Sequence, residues 1–365
     1  MTTQTRDFDV ISADSHFTEP ADLWERYIEP QYRARAPHVE HRETTDVFVC
    51  DTADMFSLGI IHGVRYKSRN DIKQDGRYAD VPSSGWDPNA RILEIQKDGI
   101  YGEVLYPTIA MRFFTIKDVA FGDACVKAYN SWAADFCKQQ PKRFKAIGIS
   151  FLDDIDAAVV ELTRMKKIGL GGAMIAVFPD EALPYWDPHY DKYWAAAADL
   201  GLPVSLHVAT ERRVQVQRNP VDRFMFYNQV QRVCIGLIYA GVFDRYPKLQ
   251  VVSAENDAGW AGNIIERMDY SEAGPRRRKA ADLKNQQLPS HYWRNNVSYS
   301  FMRDQTAILA RSVIGVDRLL WSSDFPHIDS TYPDSQQVIA EHMHGVPMAE
   351  QRLILRDNAR RLYGF

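Results

Sequence analysis

The sequence predicts an α/β protein of the (β/α)8 barrel class, on three observations. Eight short β-rich segments recur along the 365 residues, helical patterns follow most of them, and no GxGxxG follows the first strand. Regular alternation of strand and helix implies a parallel sheet, and eight such units suggest closure. An open doubly wound sheet competes, but it lacks its phosphate-binding fingerprint here.

The strands are expected at Asp9–His16, Glu103–Pro107, Ala146–Phe151, Ala173–Val177, Val204–Val208, Leu249–Glu255, Val297–Phe301 and Leu319–Phe325. Val, Ile, Leu, Tyr and Phe dominate them, with Gly, Pro or Asp at many boundaries. Ala120–Gln139, Ile155–Ile168 and Tyr193–Leu200 carry apolar residues at helical spacing. Residues 29–85 break the rhythm, being polar and irregular, with a hairpin expected around Val47–Val49 and Leu58–Ile61. The expectation is a single domain over 1–365 with 29–85 as a lid-like insertion after strand 1. Barrel enzymes place substrate walls in such loops; a decorative insertion is the alternative.

Composition narrows the function classes. The chain is 45% apolar and 25% charged, as ordinary globular proteins are. A net charge of −4 gives no pull toward nucleic acid or anionic membrane. The one basic run, Arg276–Lys279, reads as a solvated loop. No secretory leader is visible, and the longest apolar stretch, Cys234–Phe243, falls far short of the ~20 residues needed to cross a bilayer. Cys50, Cys125, Cys137 and Cys234 form no CxxC pair and are expected reduced and buried, in a cytoplasmic protein. A small-molecule substrate and a homo-oligomer, a dimer, are the expected partners.

The chemistry is concentrated at strand ends. In VISADSHFTEP, Asp14 and His16 are two residues apart and so share a strand face. His207 ends the apolar LPVSLHV, and Asp324 follows the apolar run LLWSS. A carboxylate buried without a partner costs several kcal/mol, and a divalent cation is such a partner. Two carboxylates and two imidazoles suit Zn2+ first, with Mn2+ or Fe2+ as alternatives. The bland readings are a surface turn for Asp14–His16 and a satisfied core histidine for His207. Glu255 and Glu19 are further acids, each a metal ligand, a proton carrier or a salt-bridged loop residue. His327 fits a role beside the metal or on substrate. Arg112, Tyr106 and Trp86 are candidate substrate contacts, and Phe113 and Phe114 candidate pocket walls.

ADSHFTEPADLW, GWDPNARILEIQKDGI, EVLYPT, YDKYWAAAADLGLPVSLHV, GVFDRYPKLQVVSAENDAGW and WSSDFPH follow in order. With them the chain resembles the amidohydrolase-related branch of the metal-dependent TIM-barrel enzymes, which includes aminocarboxymuconate-semialdehyde decarboxylase. The resemblance implies that Asp14 and His16 are the first-strand metal pair and His207 the fifth-strand ligand. It makes Asp324 a ligand able to exchange a proton with the nucleophilic water. The sequence departs at strand six, where decarboxylases of the family carry histidine and this chain has Glu255. That departure favours a metal-dependent hydrolase of an amide, ester, thioester, lactone or activated C–C bond, with Asp324, His207, Glu255 and His327 catalytic. Non-oxidative decarboxylation of an aromatic or unsaturated acid is the runner-up, and a dead barrel that only binds a ligand is the third reading.

Overall fold

The computed structural model describes residues 6–51, 53–57, 63, 69–71, 73, 75–179, 182–212, 220–225, 228–273 and 287–365. Leu58–Ile61 and the Arg276–Lys279 run lie outside the described residues.

Among the described residues, eight parallel strands form one sheet. In chain order the strands of the protein are β1 (Ile11–His16), β2 (His38–His41), β3 (Asp46–Cys50), β4 (Ala53–Ser57), β5 (Gly102–Tyr106), β6 (Phe144–Ile149), β7 (Gly172–Ile175), β8 (Val204–His207), β9 (Val251–Ala254), β10 (Val297–Phe301) and β11 (Leu319–Trp321). The barrel order is β1-β5-β6-β7-β8-β9-β10-β11, so sequential strands are neighbours. The (β/α)8 TIM-barrel expectation is met.

The seam between β11 and β1 is joined just past β11. Asp324 N–H donates to Asp14 O (2.9 Å) and His16 N–H to Phe325 O (2.7 Å). Buried serines bond across the same seam: Ser12 Oγ and Ser15 Oγ each lie 3.1 Å from Ser323 Oγ. The eighth barrel strand therefore ends at Trp321 rather than Phe325, because residues beyond it turn to meet β1. Asp324 there has φ +56°.

Helices cover the barrel as their sequences dictate. Asp118 and Asp154 cap Val119–Gln139 and Ile155–Ile168 through the amides of Phe121 (3.2 Å) and Ala157 (3.0 Å). Gly169, at φ +90°, ends the second of these in the left-handed conformation that only glycine adopts freely. The third expected helix begins earlier, at Asp191.

Residues 29–85 carry a three-stranded antiparallel sheet, β2-β3-β4. Val47–Val49 pairs with His38–Glu40 of β2 on one side and with β4, Ala53–Ser57, on the other. The described partner therefore comes before the expected Leu58–Ile61, and polar HVEH forms a strand the sequence did not suggest. Phe48 packs its ring on Trp24 at 5.6 Å. Gly63 approaches Ile328 so closely that a Cβ would lie 2.7 Å from its backbone nitrogen. This segment thus reaches the chain beside His327. All four cysteines are buried and free of disulfides, and no described helix is long and apolar enough to cross a membrane.

Candidate metal centre

Six side chains from four strand ends converge at the C-terminal end of the barrel. β1 supplies Asp14 and His16, with a register shift between Ser12 and Ser15. Such a bulge re-aims side chains. β8 ends in His207, Glu255 directly follows β9, and Asp324 and His327 follow β11. His16 Nε2 lies 3.7 Å from Asp14 Oδ1 and 3.3 Å from Asp324 Oδ1. His207 Nε2 lies 3.6 Å from Asp14 Oδ1 and 3.5 Å from Glu255 Oε2. His327 Nδ1 is 3.1 Å from Asp324 Oδ1. Two ligands each ~2.1 Å from one ion lie roughly 3.0–3.4 Å apart at angles of about 90–110°. The separations here are therefore close to the edges of a coordination polyhedron.

The orphaned atoms test the fit. Asp14 Oδ1, His16 Nε2, His207 Nε2 and both oxygens of Asp324 are buried without a hydrogen bond. Buried polar atoms left so cost about 1–3 kcal/mol each, more when charged, and here they face one another. Their neighbours fix which atom faces inward. His16 Nδ1 lies 2.7 Å from Pro107 O and His207 Nδ1 2.9 Å from Val208 O. A carbonyl only accepts, so each Nδ1 carries the proton and each Nε2 can present a lone pair. The ligand atoms of Asp14, His16 and His207 lie within 4.8 Å of one another, as do those of His16, Glu255, Asp324 and His327, so two groups that share His16 fit a divalent cation.

Electrostatics agree. Burial, then His327 and His207, hold His16 well below its usual pKa. His207 goes the other way: burial lowers it, but Asp14 and Glu255 outweigh burial and carry it to about 9, so without a cation its Nε2 holds a proton that a bound cation would displace. Burial and then Asp14 push Asp324 well above the carboxylate range. Burial and then Asp324 raise Glu255 to about 8. Carboxylates this close resist ionising together, and a cation relieves that repulsion.

Backbone strain marks the same place. Glu255 (φ +53°) and Asp324 (φ +56°) occupy the left-handed region, where non-glycine residues are uncommon and which clusters at functional sites. Burial divides the six. Asp14, His16, His207 and Asp324 expose 1% or less of their side chains, whereas Glu255 exposes 25% and His327 20%. Four of these side chains are sunk in the barrel, and Glu255 and His327 keep part of their surface open to solvent while still facing Asp324 and His16. His327 stacks on His16 at 3.9 Å, with Nε2 3.0 Å from Thr108 Oγ1.

Two expected site residues have other work. Glu19 does not join the donors: its oxygens take the amides of Thr108 (3.1 Å), Ile109 (3.0 Å) and Ala110 (3.0 Å). It fixes the start of the turn Ala110–Thr115, so its ligand reading is corrected. Tyr106 is fully buried, its ring 5.0 Å from that of His207 and its hydroxyl 2.9 Å from Ser205 Oγ. It packs against His207 inside the barrel, paired in register with His16, and offers no face to substrate. Trp86 is half-buried and stacks on Tyr78 at 5.4 Å, and Arg112 is half-buried on the turn Ala110–Thr115. Phe114 lines a cavity of about 910 Å³ with Phe151 and Phe178, beside the loops after β6, β7 and β8. Phe113 is buried against Trp24 at 5.1 Å.

The sequence reading missed Arg91, Glu103, Thr108 and Ser300. Glu103 in the apolar GEVLY was the available signal, since a buried carboxylate requires a partner.

Barrel, strand-end donors and orphaned lone pairs define a barrel enzyme with a site for a divalent cation. The chain belongs to the amidohydrolase family, which matches residues 14–365. It is 28% identical over 265 residues to a gamma-resorcylate decarboxylase of Rhizobium radiobacter, covering 64% of this chain and 74% of that one. An amidohydrolase from Mycobacterium avium subsp. paratuberculosis K-10 shares the fold, with TM-score 0.78, 22% identity and 99% of each chain covered. So does a dihydroxybenzoic acid decarboxylase from Polaromonas with bound manganese and the inhibitor 2-nitroresorcinol. Its TM-score is 0.65 and its identity 18%, with 97% of this chain and 96% of that chain covered.

Proposed function

We propose that this protein is a metal-dependent, non-oxidative decarboxylase of an aromatic or unsaturated carboxylic acid. The observation that carries it is the division of the site into four sunken side chains and two partly exposed ones, Glu255 and His327. The decarboxylases among its relatives support the class of reaction. Hydrolysis, the leading expectation from sequence, rested on Glu255 replacing a histidine. A carboxylic acid placed beside the donor set serves proton delivery to carbon as well as a histidine does, so that departure no longer favours hydrolysis.

Asp14, His16, His207 and Asp324 would hold the cation. When bound, the cation would supply a positive charge that holds the acid's oxygens and orients it against Glu255. Mixed carboxylate and imidazole donors accept Mn2+ as well as Zn2+. Manganese in a decarboxylase of the same fold supports Mn2+. Glu255 hands its proton to the carbon bearing the carboxylate. The C–C bond breaks, its electron pair forms the new C–H bond, carbon dioxide leaves, and no oxidant is needed. His327, its ring held by Thr108 and His16, orients the substrate at the open side.

The test is to load the protein with Mn2+ and offer 2,6-dihydroxybenzoate and related hydroxybenzoates in deuterated water. Carbon dioxide release with one deuterium on the product carbon is expected. Turnover of ester or lactone probes with water oxygen in the product, and no carbon dioxide from any acid, would instead establish a hydrolase.

A further inference from the structure

Ser300 lies on β10, fully buried, between two groups of the site that belong to different strands. Its Oγ is 2.9 Å from Asp14 Oδ2 and 2.9 Å from the backbone nitrogen of Glu255. The Glu255 amide can only donate, so Ser300 accepts there. A hydroxyl has one proton, and with the acceptor side taken that proton goes to Asp14 Oδ2. One side chain therefore settles two things. It occupies Oδ2 of Asp14, leaving Oδ1 to face His16 and His207 without a hydrogen bond of its own. It also ties down the amide of Glu255, a residue held at φ +53°, where a non-glycine backbone is strained and persists only if its surroundings hold it.

No other described residue joins a sunken donor to a partly exposed group in this way through a single hydroxyl. The neighbouring strands explain why it can. Tyr299 pairs with Ser253 of β9, so Ser300 projects inward one step beyond that pair, level with the turn that carries Glu255. Alternation along VSYSF then places its hydroxyl on the barrel's inner face.

We propose that Ser300 is a positioning residue that couples the metal-facing geometry of Asp14 to the placement of Glu255. This rests on the metal centre described above, and not on which reaction the centre performs. Removing the hydroxyl frees Oδ2 of Asp14 to turn and leaves the Glu255 amide buried without an acceptor. Loss of a group that orients a metal ligand typically weakens metal binding about 10–100-fold.

The measurement is the Mn2+ affinity of the full-length protein by calorimetric titration, for wild type, Ser300→Ala and Ser300→Thr. Ser300→Ala is expected to bind Mn2+ about 10–100-fold more weakly, and Ser300→Thr, which keeps the hydroxyl, to stay within about fivefold of wild type. Wild-type affinity in Ser300→Ala overturns the proposal, whatever happens to its melting temperature. Should Ser300→Ala not fold, a folded Ser300→Thr with affinity lowered 10-fold or more overturns it equally. Failure of every carboxylic acid as a substrate would sink the decarboxylase reading and leave these affinities, and this inference, untouched.

Discussion

Arg91 and Glu103 form a bidentate ion pair inside the protein, at 2.7 and 3.0 Å, and the same guanidinium holds the two ends of the barrel seam. Its Nη1 donates to His16 O (2.8 Å) and its Nη2 to Phe325 O (3.0 Å). Both side chains are essentially inaccessible to solvent. The pair thus fixes the main chain on either side of the donor cluster, next to His16 and next to Asp324. Arg91→Met leaves Glu103 charged and unpaired, and should cost about 3–5 kcal/mol. Urea unfolding measures it, and a loss below about 1 kcal/mol would show that the clamp is dispensable.

His207→Ala and Asp324→Asn each remove an atom whose only neighbours are other donors. Both should abolish turnover, and His207→Ala should also leave the purified protein with clearly less metal per chain. Elemental analysis checks this. Full metal content in His207→Ala would place the cation elsewhere.

Glu255→Gln keeps the size of the side chain and removes its proton. General acid catalysis contributes about 10²–10⁴-fold, so kcat should fall by that range while metal content stays within about twofold. Steady-state kinetics beside elemental analysis separate the two. Near-wild-type kcat would remove Glu255 from the reaction.

Stripping the cation leaves mutually repelling carboxylates around Asp324. A ligand at 100 times its Kd stabilises the folded state by about 2.7 kcal/mol. Chelation should therefore lower the melting temperature by several degrees, and added Mn2+ should restore it in a concentration-dependent way. A melting curve indifferent to chelator and to Mn2+ would contradict the centre as drawn.

Asp98 gives a pH dependence away from the site. Burial, the largest influence, raises its pKa to about 6 although Ser335 hydrogen-bonds to it. The unfolded chain titrates it near ~3.9. Between those values the folded state binds the extra proton, so this group's contribution to stability falls as pH rises from about 4 to about 6, then levels. Asp98→Asn should flatten that slope in urea midpoints measured across the window; an unchanged slope would count against it.

Much of the fold was legible because its signals are local. Strand periodicity placed all eight barrel strands, and apolar spacing placed Ile155–Ile168 to the residue, where the structure shows Asp154 capping its start and Gly169 its end. Asp14, His16, His207 and Asp324 stood out because carboxylates and imidazoles ending apolar strands ask for a partner. Glu19 looked similar in sequence and proved different, because its partners are three main-chain amides that carry no sequence signature.

The sequence by itself determined the barrel and singled out Asp14, His16, His207 and Asp324 as candidate donors, since both follow from side-chain pattern along short stretches. Only the tertiary structure decided which oxygen of Asp14 faces inward, that Tyr106 is buried against His207, and that Ser300 and Arg91 bond to residues of the centre. Those outcomes depend on hydrogen bonds between residues as far apart as 14 and 300, whose geometry is set when the seam closes.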